Sequence, residues 1–181
     1  IISNLLDSGH SIPHFCYHDN LSPTGNCRAC IIELNKAPKP IASCVMSISK
    51  NSTDMFYDSV LIQKARENIL EFLLMNHPED CAVCDQGGKC DLQDESLIYG
   101  RSSRRFHQDK TTVGDKNVGS SVKTVMTRCI HCTRCVRFAE EIVGIGNFGI
   151  LGRGSGSQIG TYINITFSSE LVSNVIDLCP V

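Results

Sequence analysis

The sequence predicts an α+β fold in which short helices and strands hold three cysteine-rich loops. Helical periodicity in residues 58–76 and β-branched residues in "ACIIELN" (29–35) indicate both element types. The third observation is that eleven cysteines fall into three groups, with one histidine beside the second group. Eleven cysteines and one histidine make three sets of four ligands with no thiol left over.

The composition is that of a folded chain. With 181 residues, 41% of them hydrophobic, the chain can bury the core of one or two small domains. A net charge of −2 creates no field for nucleic acid, and no apolar run reaches the roughly 18 residues that a membrane span needs. We therefore expect neither a nucleic-acid partner nor a membrane-spanning segment.

The first segment, residues 1–54, is expected to form one small domain. "IISNLLDSGHSIPHF" predicts a short helix and a turn at Gly9, and 29–35 predicts a strand. "APKPIASCVM" (37–46) predicts a turn and a short return strand. Between them, the loop "SPTGNCRAC" bends at Pro23 and Gly25.

The second segment, residues 55–100, begins with a predicted helix. Asp58 is the expected N-cap, and Pro78 disfavours helical geometry at His77, so the helix should end near Asn76. The expected buried face consists of Leu61, Ala65, Ile69, Phe72 and Leu73.

The third segment, residues 101–181, opens with a polar connection. Its basic cluster, Arg101, Arg104 and Arg105, is either solvated or contacts a neighbouring part of the protein. A loop with three cysteines is then followed by a predicted short helix from about Val136, a strand over 158–167 and an amphipathic helix that ends at Cys179-Pro180.

The third cysteine group has the spacing typical of a [4Fe–4S] cluster. Three thiolates at C-x2-C-x2-C hold one face of such a cluster, and a remote cysteine followed by proline holds the fourth iron. Zinc sites usually combine two C-x2-C pairs instead. No second C-x2-C-x2-C run exists, so we expect one cluster on Cys129, Cys132, Cys135 and Cys179. His131 is expected to be a neighbour and not a ligand.

Three arginines flank this group. Arg128, Arg134 and Arg137 would favour the reduced state of an anionic cluster if they lie beside it. Solvated surface cations are the alternative, and the sequence does not decide between them.

The first group has the C-x2-C core and remote cysteine of plant-type [2Fe–2S] ferredoxins, but its first gap is six residues longer. Zinc therefore stays open on spacing alone. Gly25 would let backbone N–H groups approach the sulfurs. The candidate ligands are Cys16, Cys27, Cys30 and Cys44.

The second group fits two metals almost equally well. His77, Cys81, Cys84 and Cys90 match both a zinc site with three cysteines and one histidine and an iron–sulfur cluster with one imidazole ligand. A thioredoxin-type redox pair is disfavoured because no βαβ pattern surrounds it. The loop that follows Cys84 contains Gly87-Gly88, which would let it fold tightly.

Three stretches carry a resemblance to a known family. "CYHDNLSPTGNCRACIIEL", "NHPEDCAVCDQGGKCDLQD" and "TRCIHCTRCVRFAEEI", together with "IDLCPV", resemble the large (75 kDa-type) iron–sulfur subunit of respiratory NADH:ubiquinone oxidoreductase, complex I. The sequence around His77 is similar to that of mitochondrial and alpha-proteobacterial members. One departure is Lys89, where the family usually has an acidic residue.

The resemblance implies one [2Fe–2S] cluster on the first group and a [4Fe–4S] cluster on each of the other two. It also implies a fold: a ferredoxin-like β-grasp domain (1–54) lacking its N-terminal hairpin, then a helical, loop-rich part. That part would comprise a segment with the histidine and three cysteines (55–100) and a ferredoxin-like domain with four cysteines (101–181). The family continues into a molybdopterin-oxidoreductase-like domain that is absent here, so a fragment or a split-gene product is expected.

The expected function is electron transfer from a flavin subunit toward quinone in a proton-translocating NADH:ubiquinone reductase. The sequence offers no catalytic residue, Rossmann fingerprint or P-loop of its own. Expected partners are the flavin/NADH-binding subunit, the downstream iron–sulfur subunits of the peripheral arm and, if the gene is split, the rest of the same subunit. The expected location is the matrix side of the mitochondrial inner membrane, or the cytoplasmic face of a bacterial plasma membrane.

Two alternatives stay open. One is the electron-transfer subunit of an NAD-linked hydrogenase or a formate dehydrogenase, which shares the three ligand sets. The other is a zinc-binding scaffold without redox activity.

Overall fold

The computed structural model describes residues 1–35, 37–48, 54–162 and 166–181. Its helices are α1 (Ile2–Asp7), α2 (Val60–Asn76), α3 (Asp91–Tyr99), α4 (Arg134–Arg137) and α5 (Asn174–Leu178). Its strands are β1 (Ile31–Leu34), β2 (Ile41–Ala42), β3 (Met55–Phe56), β4 (Phe148–Leu151) and β5 (Gln158–Thr161). Within the described ranges, no helix has both the length and the apolar character needed to cross a bilayer.

The first sheet has β1 at its centre, paired antiparallel with β2 on one side and β3 on the other. Ile31 pairs with Ala42, and Leu34 pairs with Met55. The predicted helix, strand and return strand are therefore confirmed, whereas the two-residue β3 gave no sequence signal. Gly9 has a left-handed backbone (φ +82°), as the predicted turn requires.

The N-cap of helix α2 lies one residue later than predicted. The N-cap is Ser59, whose side chain accepts a hydrogen bond from the Ile62 amide, so the prediction of Asp58 was wrong. Asp58 instead accepts a bond from the Gln63 side chain. The predicted end is confirmed: the helix stops at Asn76, and the next residue is extended (φ −66°, ψ 130°).

The buried face of α2 also differs from the prediction. Ile62, Arg66 and Leu70 are the buried residues, while Leu61 and Phe72 are 53% and 68% exposed. The difference arises because a charged residue occupies the inner face. Arg66 donates to the Ile31 carbonyl at 3.1 Å, and its guanidinium lies 5.3 Å from the Tyr99 ring.

The described part of residues 101–125 contains no helix or strand, as expected for a connection. It nevertheless contacts α2 and the loop that follows it: Arg105 pairs with Glu71 of α2, and Arg104 lies 3.7 Å from Glu79 in that loop. Both arginines remain exposed, so they are solvated and also contact a neighbouring segment.

The C-terminal part packs on a second core. Helix α4 begins two residues earlier than predicted and continues as a π-helical turn, Phe138–Val143, that ends at Gly144. Strands β4 and β5 form an antiparallel hairpin, so the predicted strand over 158–167 is shorter; residues 163–165 lie outside the described residues. The second core consists of Val118, Met126, Ala139, Phe148, Ile159, Phe167 and Val172.

The first core borders cysteines from all three groups. It packs Phe15, Ile32, Leu70 and Leu92 against the sheet and the helices. The buried cysteines in it are Cys16, Cys30, Cys44, Cys90 and Cys132. Cys90 and Cys132 place parts of the second and third groups beside this core, whereas Cys129 and Cys135 pack against the second core.

Candidate metal centre

The first group is assembled by the loop before β1 and the turn after β2. Side-chain hydrogen bonds join Cys16 to Cys27 and Cys44, and Cys30 to Cys44. The Cys16 amide also lies 3.5 Å from the Cys27 sulfur. Ser43 holds the Cys30 carbonyl through its hydroxyl (2.7 Å) and its amide (3.1 Å). The structure thus brings all four predicted thiols together.

Their pKa values diverge because they share hydrogen bonds. The bond from Cys27 holds the pKa of Cys16 far below its usual range, and the bond from Cys44 lowers the pKa of Cys30 to about 6. The same bonds, together with burial, raise the pKa values of Cys27 and Cys44. Only part of this set can ionise unless a cation binds, and iron or zinc would be suitable cations.

The second group follows the end of α2. Cys81 begins a 3₁₀ turn and is exposed, Cys84 is half-buried, and Cys90 is buried before α3. A Cβ on Gly87 would lie 2.6 Å from the Cys81 carbonyl oxygen, and Gly88 is left-handed (φ +82°). The predicted need for glycine in this loop is therefore confirmed.

His77 presents an unpartnered nitrogen in this loop. Its Nδ1 atom is buried and has no hydrogen-bond partner among the described residues. Burial, followed by the nearby charge of Lys110, lowers the pKa of His77. Both effects favour the neutral imidazole, which is the form that binds metal.

The third group lies on the loop before α4 and just after α5. Burial raises the pKa values of all four thiols, that of Cys132 to about 12. The His131 amide lies 3.4 Å from the Cys129 sulfur, and the ring Nε2 lies 2.8 Å from the Ser157 carbonyl oxygen. The ring Nε2 atom of His131 is therefore engaged by a backbone carbonyl and not by a thiol.

Left-handed residues other than glycine mark the first and third loops. They are Arg28 (φ 60°), His131 (φ 53°) and Thr133 (φ 63°). Each lies inside a C-x2-C interval, where the chain must turn within two residues so that both sulfurs face one point. The second group uses its 3₁₀ turn instead.

The third loop is joined to the first by buried polar contacts. Arg137 donates to the carbonyls of Ser22 (2.6 Å), Cys16 and Cys132 (3.5 Å). The Asn26 side chain donates to the His131 carbonyl at 3.0 Å. These contacts connect backbone positions at or near candidate ligands of both groups.

The third group also contacts the second. The Cys90 sulfur and the Asp91 amide reach the Pro180 carbonyl oxygen at 3.6 and 3.1 Å. Arg134 lies 3.6 Å from Asp91. Arg128 pairs with Asp80 at 2.6 Å. The third group therefore touches both others, although it comes last in the sequence.

The arginine alternatives are decided by burial. Arg134 and Arg137 are 7% and 5% exposed, so the solvated interpretation was wrong for them. Arg128 keeps its ion pair with Asp80. Sequence reasoning missed Asn26 and Lys110, because a polar residue in a loop gives no signal of its distant partner.

The donor sets fit metal clusters. All eleven cysteines are free thiols, of which five are buried, five are half-buried and Cys81 is exposed. Thiolates together with one unpartnered imidazole are soft ligands, which suit such clusters. Within the described residues, no three His, Cys, Asp or Glu side chains are close enough to bind one metal ion together.

Three family models match successive parts of the chain. A 2Fe-2S iron-sulfur cluster binding domain matches residues 1–52, and an NADH-ubiquinone oxidoreductase-G iron-sulfur binding region matches residues 66–105. The ferredoxin-like domain of NADH-quinone oxidoreductase subunit 3 matches residues 119–181. A 2Fe–2S domain and a ferredoxin-like domain on a small α+β chain agree with the predicted fold class.

Curated relatives align with nearly the whole chain. The NADH-ubiquinone oxidoreductase 75 kDa subunit of Reclinomonas americana is 58% identical over 181 residues, which is 100% of this chain and 26% of the relative. The mitochondrial NADH dehydrogenase [ubiquinone] iron-sulfur protein 1 of Solanum tuberosum is 56% identical, over 96% of this chain and 23% of the relative. A subunit of the NADH-quinone oxidoreductase of Rickettsia felis is 51% identical, over 96% and 26% respectively. The chain thus spans about a quarter of their length.

One solved structure has a similar fold. A chain from the crystal structure of an NAD+-reducing [NiFe]-hydrogenase in the H2-reduced state matches with a TM-score of 0.79 and 26% sequence identity. The match covers 90% of this chain and 68% of that chain.

Proposed function

The chain is homologous over its whole length to the iron–sulfur subunits of NADH:quinone oxidoreductase, complex I, and from that premise we propose that it transfers electrons within such an enzyme. Electrons would pass from a flavin subunit toward quinone. The chain itself would convert no substrate and would act as one part of an NADH:ubiquinone reductase that translocates protons.

We propose three clusters, each on one four-ligand group. The [2Fe–2S] ligands would be Cys16, Cys27, Cys30 and Cys44. The two [4Fe–4S] ligand sets would be His77, Cys81, Cys84 and Cys90, and Cys129, Cys132, Cys135 and Cys179. Bound clusters would supply one-electron redox chemistry.

The observation that carries this proposal is the continuity of the three groups. The third group contacts the first through Arg137 and Asn26, and the second through the Cys90–Pro180 contact. Sites that are joined by such contacts suit electron transfer better than three independent structural metal sites. The chain's own residues hold the ligands apart, exclude water and provide compensating positive charge.

The domain organisation is proposed in the same terms. Residues 1–54 would be a β-grasp domain, residues 55–100 the segment with the histidine and three cysteines, and residues 101–181 the four-cysteine domain. The chain aligns with 26% of the length of its relative from Reclinomonas americana.

The proposed partners are the flavin/NADH-binding subunit and the downstream iron–sulfur subunits. The proposed location is peripheral, on the matrix side of the mitochondrial inner membrane or the cytoplasmic side of a bacterial membrane. The two locations are proposed because one relative is named as mitochondrial and another comes from a bacterium.

The test is metal analysis with low-temperature EPR on the anaerobically purified, dithionite-reduced complex. We expect about ten iron atoms for this chain, with one binuclear and two tetranuclear signals. His77→Cys should change one tetranuclear signal only, and His107→Cys, at an exposed position of the connection, should change none. Zinc bound at His77, with only two iron signals, would make that site a structural zinc site. Zinc at all three sites would overturn the proposal.

A second candidate function is electron transfer in an NAD-linked hydrogenase. The observation that favours it is the structural match to a hydrogenase chain along 90% of this sequence. Purifying the native complex through this chain distinguishes the two. Complex I predicts NADH oxidation by quinone without nickel, whereas the hydrogenase predicts nickel and reduction of NAD⁺ by hydrogen.

A further inference from the structure

Arg137 binds two candidate cluster loops at once. Its side chain is 5% exposed, and its guanidinium donates to backbone carbonyls at Cys16 and Ser22 in the first loop and at Cys132 in the third. Its Nε atom lies 3.4 Å from the Thr133 hydroxyl. A planar guanidinium can direct several N–H groups to fixed points, which a lysine ammonium does not reproduce.

The charge of Arg137 is not matched by an ion pair. Among the described residues, the salt bridges include none to Arg137. The nearby acid, Glu141, binds the amide and hydroxyl of Ser22; the Arg137 charge contributes to lowering its pKa, but no salt bridge joins the two among the described residues. A buried cation without a carboxylate partner is costly unless other negative charge lies close to it. The carbonyls that it binds belong to loops whose thiolates would carry such charge.

We propose that Arg137 is a positioning residue shared by the first and third cluster sites. It fixes the separation of the two loops, and its charge favours the reduced form of both clusters. Each of these sites gains one electron on reduction and becomes more negative by one unit charge, which a buried cation stabilises. The inference rests on the proposed function.

Arg134 provides a contrast within the same helix. It donates to the Leu178 carbonyl at 3.4 Å and lies 3.6 Å from Asp91, so it faces the junction between the third and second groups. The Arg134 charge also reaches His18 in the first loop, but Arg134 forms no hydrogen bond to that loop among the described residues. Arg137, which binds the backbone of the first and third loops, should affect the first and third clusters.

The experiment is an EPR-monitored redox titration of the intact complex carrying Arg137→Gln. The reduction equilibria of the [2Fe–2S] cluster and of the cluster on Cys129 should both shift about tenfold toward the oxidised form, about 59 mV for a one-electron couple. The signal of the His77 site should keep its potential. The matched control is Arg101→Gln, which removes the same charge from an exposed position and should shift none of the three.

Arg137→Lys separates charge from geometry. We expect it to keep both potentials near those of the parent, while pulsed EPR shows an altered or broadened distance between the two clusters. If Arg137→Gln fails to assemble, this variant carries the test alone, and parental potentials with a parental distance would overturn the inference.

The inference and the proposed function fail differently. If the parent complex lacks the three cluster signals, the proposed function fails. If those signals are present but Arg137→Gln shifts neither potential, shifts only one, or matches the Arg101→Gln control, the shared role of Arg137 is wrong while the proposed function stands.

Discussion

The side-chain amide of Asn26 donates a hydrogen bond to the backbone carbonyl of His131 at 3.0 Å. A second contact, at 3.4 Å, reaches the Thr133 hydroxyl. Asn26 precedes Cys27, and His131 precedes Cys132, so one amide connects the first and third loops directly beside candidate ligands. The two residues are 105 positions apart in sequence, so this contact joins distant parts of the chain.

Replacing Asn26 with alanine should loosen this junction. We expect a loss of about 0.5–1.5 kcal/mol in the free energy of unfolding, since the His131 carbonyl loses a donor at an exposed position. Thermal unfolding of the purified cluster-loaded protein measures it. Asn20→Ala, at an exposed position of the same loop, is the control, and equal losses in both variants would contradict the junction.

Lys110 should stabilise the end of α2 and the His77 loop. Its ammonium donates to the carbonyls of Leu74 (3.2 Å) and His77 and lies 2.8 Å from Glu79. Lys110→Met should remove this C-terminal cap and alter the EPR signal of one tetranuclear cluster, leaving the binuclear signal unchanged. Lys123→Met, at an exposed lysine, should change neither signal; a change common to both variants would refute the assignment.

Ser59 should matter more than Asp58 for the start of α2. Ser59→Ala removes the acceptor for the Ile62 amide and a 2.8 Å bond to Glu33, so a loss of about 1 kcal/mol is expected. Asp58→Ala should cost clearly less. Hydrogen exchange of the first-turn amides of α2 compares the two variants. Faster exchange in Asp58→Ala than in Ser59→Ala would contradict the prediction.

Glu95 should make stability depend on pH. Burial, and then the negative charge of Asp91, raises the pKa of this carboxyl to about 7, partly offset by Arg66. Because the folded state holds the proton more tightly than the unfolded state, stability is highest below the unfolded pKa and falls as pH rises toward 7.

Glu95→Gln should remove this loss. The variant should be more stable than the parent at pH 8.5 by up to about 3 kcal/mol, with a smaller gain at pH 6. Denaturant unfolding at both pH values measures the free energy of unfolding of parent and variant. Glu140→Gln, at an exposed carboxylate, should leave the free energy of unfolding unchanged at both pH values. A gain from Glu95→Gln that does not vary with pH would contradict the raised pKa of Glu95.

Much of the local structure could be predicted because it depends on neighbours in sequence. Pro78 determined where α2 ends, and Gly87 fits a turn that no Cβ could enter. The cysteine spacings predicted three four-ligand sets, and in the structure Cys16 is linked to Cys27 and Cys44, and Cys44 to Cys30.

The rest depends on distant partners. Arg66 is buried because it finds the Ile31 carbonyl and the Tyr99 ring, and this shifts the buried face of α2 away from Leu61 and Phe72, while the predicted Ile69 and Leu73 still pack against the first core. Likewise, Arg137 is buried because carbonyls from another loop surround it. Periodicity cannot reveal such partners, since it reports only on residues within the same element.

The left-handed residues at Arg28, His131 and Thr133 have a consequence for maturation. An αL conformation costs a residue other than glycine roughly 1–2 kcal/mol, and all three adopt it between two cysteines. In a newly made chain without iron, these peptides would relax first, opening the first and third loops while the His77 loop, with its 3₁₀ turn and glycines, keeps its shape. We expect metal insertion to be what closes those two loops, so the chain would be most vulnerable to thiol oxidation between synthesis and loading.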